Sequence, residues 1–150
     1  MARSMQVYVP NTPHAVAKAR QVIADSLVAW GIARSQRDEA IVGDLLLVAT
    51  ELLSNAVKFS SGEVVLALTW SGSVVRVGVT DTASSPAIPR TAGLEAGGGR
   101  GLAIVAALSR RWGQSRYAGG RKEVWAEVAI GTRADAGASG GTITTVTLEG

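Results

Sequence analysis

Cysteine is absent from this 150-residue chain, and histidine occurs once, at His14. Disulfide scaffolds, zinc fingers, thiol nucleophiles and the histidine-rich zinc sites are thereby excluded. Charge is scarce as well: 18% of residues are Asp, Glu, Lys or Arg, against roughly 25% in an average globular protein. With 47% apolar residues, the composition is that of a folded chain rather than a disordered one. Its length suits one domain with a core large enough to need no covalent staple. No uninterrupted apolar run approaches the roughly 18 residues needed to cross a bilayer, and the start, MARSMQVYVP, has no apolar signal core. A cytoplasmic protein with no membrane partner is expected. The single Phe, two Tyr and four Trp are not interleaved with basic residues, and no helix-turn-helix or stacking-sheet motif occurs, so no direct nucleic acid partner is expected either.

The formal net charge of +3 conceals an asymmetry. Between Thr82 and Lys122 stand Arg90, Arg100, Arg110, Arg111, Arg116, Arg121 and Lys122 against one acid, Glu95. Compact positive charge of this kind suits phosphate, whether of a nucleotide or of nucleic acid.

Apolar spacing divides the chain into alternating elements. Gln6 to Pro10 reads as a strand, and Asn11 and Thr12 offer N-caps to a helix that begins near Pro13 and runs to about Gly31. Ser35 with Asp38 resembles a capping box, and Ile41, Leu45, Val48, Leu52, Ala56 and Phe59 form the apolar stripe of a long helix ending near Phe59. Val64 to Trp70 and Val74 to Thr80 read as a hairpin turning at Ser71-Gly72-Ser73, with Asp81 at the end of its second strand. Thr82 to Arg100 is aperiodic and glycine-rich, a long loop of the kind that often serves function. Leu102 to Trp112 resumes helical spacing, and Glu123 to Ile130 alternates like a strand. The last twenty residues hold five glycines; residues 131–150 read as a mobile tail beyond a domain spanning 1–130, with Thr142 to Leu148 as a frayed end rather than an added strand.

Three groups of residues carry chemistry. On the long helix Asp44, Glu51, Asn55 and Lys58 lie along one edge of the apolar stripe. A carboxylate and a carboxamide one turn apart can hold a divalent ion, since Mg²⁺ takes oxygen ligands and keeps several waters; the same residues also suit an ordinary helix flank. GGGRGL, Gly97 to Leu102, leads into a helix, where free backbone N–H groups and Arg100 favour an anion, although a flexible turn would read alike. It is neither a Walker A loop nor a dinucleotide fingerprint. Asp81 at its strand end can accept from an exocyclic amine or cap its own turn. His14 suits an exposed helix start, and the letters G-x-S-x-G at Gly137 to Gly141 fall in low-complexity sequence rather than at a strand-to-helix turn.

Taken in order, ELLSNAVKFS (Glu51 to Ser60), VGVTD (Val77 to Asp81), the loop, GGGRGLAIV (Gly97 to Val105) and KEVWAEV (Lys122 to Val128) resemble the nucleotide boxes of the GHKL ATPases, over about Val7 to Ile130. The size, the GRGLAIV helix and the VWAEV strand look like the anti-sigma-factor serine/threonine kinase branch. This resemblance implies an α/β fold, a two-layer sandwich whose mixed, largely antiparallel sheet is covered on one face by helices, with ATP and Mg²⁺ as ligands. It implies Glu51 as catalytic base, Asn55 as the Mg²⁺ ligand and Asp81 as the acceptor for the adenine amine. Thr82 to Arg100 would be a lid, and Gly97, Gly99, Arg100, Gly101, Leu102 and Lys58 would complete the nucleotide site. Relatives commonly carry Thr or Ser before the VW of the last box; Glu123 stands there, which implies an anion near the polyphosphate. The implied partners are a sigma factor and an antagonist protein, with a homodimer possible. A non-catalytic nucleotide-binding module of the same fold and a detached histidine-kinase catalytic domain are the alternatives.

Overall fold

The computed structural model describes residues 3–60, 62–81, 99–131 and 143–149. A six-stranded sheet is ordered β4-β5-β3-β2-β1-β6, built from β1 (Arg3–Val9), β2 (Val64–Ser71), β3 (Val74–Asp81), β4 (Arg111–Arg116), β5 (Lys122–Ala129) and β6 (Ile143–Thr147). Neighbouring strands are antiparallel except β1 and β6, which run parallel. The helices are α1 (Pro13–Ala29), α2 (Gln36–Phe59) and α3 (Gly99–Leu108). This is the mixed α/β sandwich expected.

Local chemistry sets the helix starts. The Thr12 hydroxyl accepts from the Ala15 N–H at 3.2 Å, with Pro13 in the first turn where its missing N–H costs nothing. Asn11, the other candidate cap, instead donates from its amide to the Ser60 carbonyl at 2.6 Å and ties the start of α1 to the end of α2. Ser35 caps α2 by accepting from the Asp38 N–H at 3.3 Å, while the Asp38 carboxylate reaches back to the Arg34 N–H at 2.9 Å. Between β2 and β3 the turn is Gly72-Ser73. Gly72 has φ 59°, and among the described residues no non-glycine residue has positive φ, as a hairpin with glycine in its first central position requires.

Period-two alternation gives the sheet one dry face. Met5, Val7 and Val9 of β1, Val64, Leu66, Leu68 and Trp70 of β2, Val75, Val77 and Val79 of β3, and Ala126 and Val128 of β5 are buried. Leu45, Leu46, Leu52 and Leu53 of α2 close over them, each stabilising the fold by roughly 1.5–3 kcal/mol. By length and hydropathy α2 also passes as a membrane span; here it is the core helix, packed against α1, α3 and the sheet. The opposite face is polar. There Trp125 lies between the guanidinium groups of Arg76 and Arg111, 4.7 and 5.7 Å from the ring. Arg111 is held by two 2.9 Å bonds to Glu127, which keep that carboxyl below its ordinary pKa.

Three expectations are corrected. The helix expected over Leu102 to Trp112 begins at Gly99 and stops at Leu108, because the chain turns there to pair Arg111–Arg116 with β5. The end expected to be frayed carries β6, with Ser4↔Ile143 through Tyr8↔Thr147 in register; threonine and valine supply the β-favouring side chains. Glu123, expected near polyphosphate, lies on the polar face, where it accepts from Arg76 at 2.9 Å and Tyr117 at 3.2 Å. Of the lid expected over Thr82 to Arg100, residues 82–98 lie outside the described residues, as do the G-x-S-x-G letters, while Gly99 and Arg100 belong to α3.

Since β6 pairs with one strand only and Ile143 is 56% exposed, ending the chain at Ile130 is expected to cost about 1–2 kcal/mol and to preserve cooperative unfolding. Urea denaturation followed by circular dichroism checks this. A truncated chain that does not fold would make β6 indispensable.

Candidate functional site

One end of the helix layer opens into a cleft of ≈ 410 Å³, part of it continuous with solvent. Leu52, Asn55, Ala56 and Phe59 of α2, Val79 and Asp81 of β3, Leu102 of α3, and Lys122 and Val124 of β5 line it. Its mostly apolar walls suit a flat organic ligand, with a few polar groups to orient it.

Asp81 lines the cleft from the sheet, 3% exposed. The Ser60 hydroxyl donates to its Oδ1 at 2.8 Å and itself accepts from the Gly62 N–H at 3.1 Å. The backbone after α2 therefore orients the carboxylate. Directly across the ladder from Asp81 stands Lys122, 5% exposed. Side chains so opposed have Cβ atoms roughly 4.5–5.5 Å apart.

On the helix side, Glu51 and Asn55 meet the first turn of α3. A β-carbon on Gly101 would lie 2.7 Å from Glu51 Oε2 and 3.3 Å from Asn55 Nδ2. Only glycine allows the two helices this approach, which brings a carboxylate toward the positive end of α3. Asn55 Nδ2 is buried without a hydrogen-bond partner, an arrangement that costs free energy unless a ligand completes it. Among the described residues no three His, Cys, Asp or Glu side chains gather to hold a metal. A divalent ion would therefore take the Asn55 oxygen and fill its remaining positions from water and a polyanion, as Mg²⁺ commonly does. The donor set fits that use.

A model of the histidine kinase-like ATPase domain matches residues 9–128. The chain belongs to this family. No curated protein matches it. As a GHKL-type domain it is an ATP-binding protein, and the match covers every element that lines the cleft.

Of the residues singled out by sequence, the ATPase domain brings Asn55, Asp81 and Leu102 to the cleft wall and sets Glu51 beside Asn55. Gly99, Arg100 and Gly101 form the opening turn of α3 rather than a loop before it. Gly97 lies outside the described residues. Lys58 is not brought in: it is exposed, with its Nζ 5.3 Å from the centre of the Phe59 ring. His14 is exposed in the first turn of α1. Lys122 was missed, although the alternation of Val124, Ala126 and Val128 already puts it on their side of β5.

Gly101→Ala tests the close approach. Alanine gains about 1 kcal/mol of helix propensity, but its methyl group must displace the Glu51 carboxylate and crowd the amide of Asn55, which lines the cleft. Thermal stability is expected to change little, while ATP affinity measured by calorimetry falls at least tenfold.

Proposed function

We propose that this ATPase domain is an anti-sigma-factor serine/threonine kinase: a regulator that holds a sigma factor and phosphorylates a hydroxyl on an antagonist protein. The observation that carries the nucleotide chemistry is the buried, partnerless Nδ2 of Asn55 beside Glu51, a donor that a phosphate oxygen would satisfy. Asn55 would hold Mg²⁺ through its oxygen, and the ion would neutralise polyphosphate charge. Asp81 would accept from the base. The attacking hydroxyl oxygen bonds to the γ-phosphorus as the bond to the ADP oxygen breaks, and Glu51 takes the hydroxyl proton. The four-residue spacing of Glu51 and Asn55 on one helix keeps proton acceptor and metal ligand in register. The choice of a sigma factor and its antagonist as partners rests on the resemblance of the GRGLAIV and VWAEV segments to that branch.

Calorimetry tests the binding step. ATP with Mg²⁺ is expected to bind the wild-type chain more tightly than ATP with EDTA, and Asn55→Ala is expected to abolish most of that difference. Absence of heat from millimolar Mg-ATP, with the circular dichroism of a folded chain, would overturn the reading. Transfer of label from γ-labelled ATP to a co-purified protein then distinguishes a kinase from a docking module.

A further inference from the structure

Lysine is among the residues least often buried, yet Lys122 is 5% exposed and forms part of the wall of a mostly apolar cleft. Strand parity puts it there. It stands directly across the β3–β5 ladder from Asp81, and the next pair on the same face is Val79 and Val124, all four lining the cleft. A flat ring laid against the two valines would therefore meet, at one edge, an ammonium and a carboxylate carried on neighbouring strands, which run roughly 4.8 Å apart. Ser60 donates to Asp81 Oδ1 at 2.8 Å and orients the carboxylate from the end of α2. An ammonium carries three N–H donors, so one that is bound to a carboxylate still has donors to offer a ligand.

We propose that Lys122 is a second base-reading residue of this ATP site, donating to the N1 ring nitrogen of adenine while Asp81 accepts from the exocyclic amine. The proposal rests on the nucleotide reading above, with Asp81 as the acceptor for the base. The edge of adenine that carries the amine also carries, on the neighbouring ring atom, the lone pair of N1. A carboxylate reads only the donor of these two. N1 would then be stripped of water against an apolar wall, and a buried acceptor left unanswered weakens binding. The ladder supplies the missing donor on the strand beside Asp81. Because that donor is charged, its hydrogen bond is stronger than one from a neutral group. Competition from water is small for a side chain 5% exposed, which strengthens the contact further. Held between β3 and the cleft, the long lysine stem also has less rotamer freedom to lose when the base arrives than a surface lysine would.

The test is a calorimetric titration of the full chain, with Mg²⁺, by ATP, by 1-deaza-ATP, in which C–H replaces N1, and by 7-deaza-ATP, in which C–H replaces N7 and N1 is kept. The wild type is expected to bind ATP and 7-deaza-ATP within about threefold of each other and 1-deaza-ATP at least tenfold more weakly, the scale of a lost hydrogen bond to a charged group. Lys122→Met keeps the length of the stem and removes the donor. It is expected to weaken ATP at least tenfold while leaving 1-deaza-ATP within about threefold of its wild-type affinity. Should this variant fail to fold, Asp81→Asn combined with Lys122→Met strands neither charge, and it is expected to bind ATP and 1-deaza-ATP alike. Equal binding of ATP and 1-deaza-ATP by the wild type overturns the proposal. So does a variant that still prefers ATP to 1-deaza-ATP tenfold, since another group would then read N1. A variant that weakens all three nucleotides by one factor overturns it too, because Lys122 would then support the cleft without touching the base. If the folded wild type binds no ATP, the nucleotide reading itself falls, whereas ATP binding that ignores N1 removes only the role of Lys122.

Discussion

On the proposed kinase reading, Glu51→Ala is expected to slow phosphoryl transfer from γ-labelled ATP to the partner protein by roughly 10²–10⁴-fold, the usual contribution of a positioned general base. ATP affinity should stay within a few fold of wild type, because Glu51 does not line the cleft that receives the base. Stability should change little. The Glu51 carboxylate lies near the first turn of α3, close to Gly101, and a negative charge at a helix N-terminus contributes about 0.3–1 kcal/mol. Glu51→Gln keeps the side chain's size beside Gly101 while removing its basicity, so it should lose turnover as fully as alanine does. Equal transfer by wild type and both variants would exclude Glu51 as proton acceptor. Affinity lost in step with turnover would assign it to binding instead.

Asp81→Ala is expected to be the most destabilising single change in the cleft. It removes one acceptor of the Ser60 hydroxyl, which also reaches the Gly62 carbonyl at 3.1 Å, and leaves Lys122 buried opposite a methyl group. Removing one partner of a buried charge pair costs about 3–5 kcal/mol, a large part of the roughly 5–15 kcal/mol that holds a domain together. Asp81→Asn retains an oxygen for Ser60 and should cost less. Joined with Lys122→Met, it should recover most of the loss, because removing both charges together leaves neither stranded. Urea midpoints for the three variants give the comparison. A loss below about 1 kcal/mol for Asp81→Ala would mean that Lys122 does not depend on Asp81.

The elements legible in the sequence are those whose determinants are local. The Thr12 and Ser35 caps, the leucine stripe of α2 and the Gly72-Ser73 turn are each decided within a few residues, and they fall where expected. The two edge strands were not legible. Arg111–Arg116 reads RWGQSR, with an arginine at each end and a glycine at Gly113, where a β-carbon would lie 2.9 Å from Trp125. That strand is specified by its neighbour rather than by its own alternation. Ile143–Thr147 sits in a run of small and polar residues, and only β1 gives it a place. In the site, Glu51 and Asn55 were paired by helix spacing, whereas Lys122 and Glu123 were weighed by proximity to a motif. Their roles depend on strand parity: one residue along β5 exchanges the cleft for the polar face.

Parallel pairing of β6 with β1 also decides where an attachment would emerge. Val9, Val64, Asp81 and Lys122 stand in one row across the sheet, and the Tyr8–Thr147 pair lies next to that row. A tag or surface linker joined after residue 149 therefore leaves from the cleft-bearing end, three strand spacings from Asp81, or roughly 14 Å at the usual separation. One joined ahead of Arg3 leaves from the far end, beside Trp70. Immobilisation or fluorescent labelling through the amino terminus keeps its bulk away from that row, and a carboxy-terminal fusion brings it to the end of the sheet that carries Asp81 and Lys122.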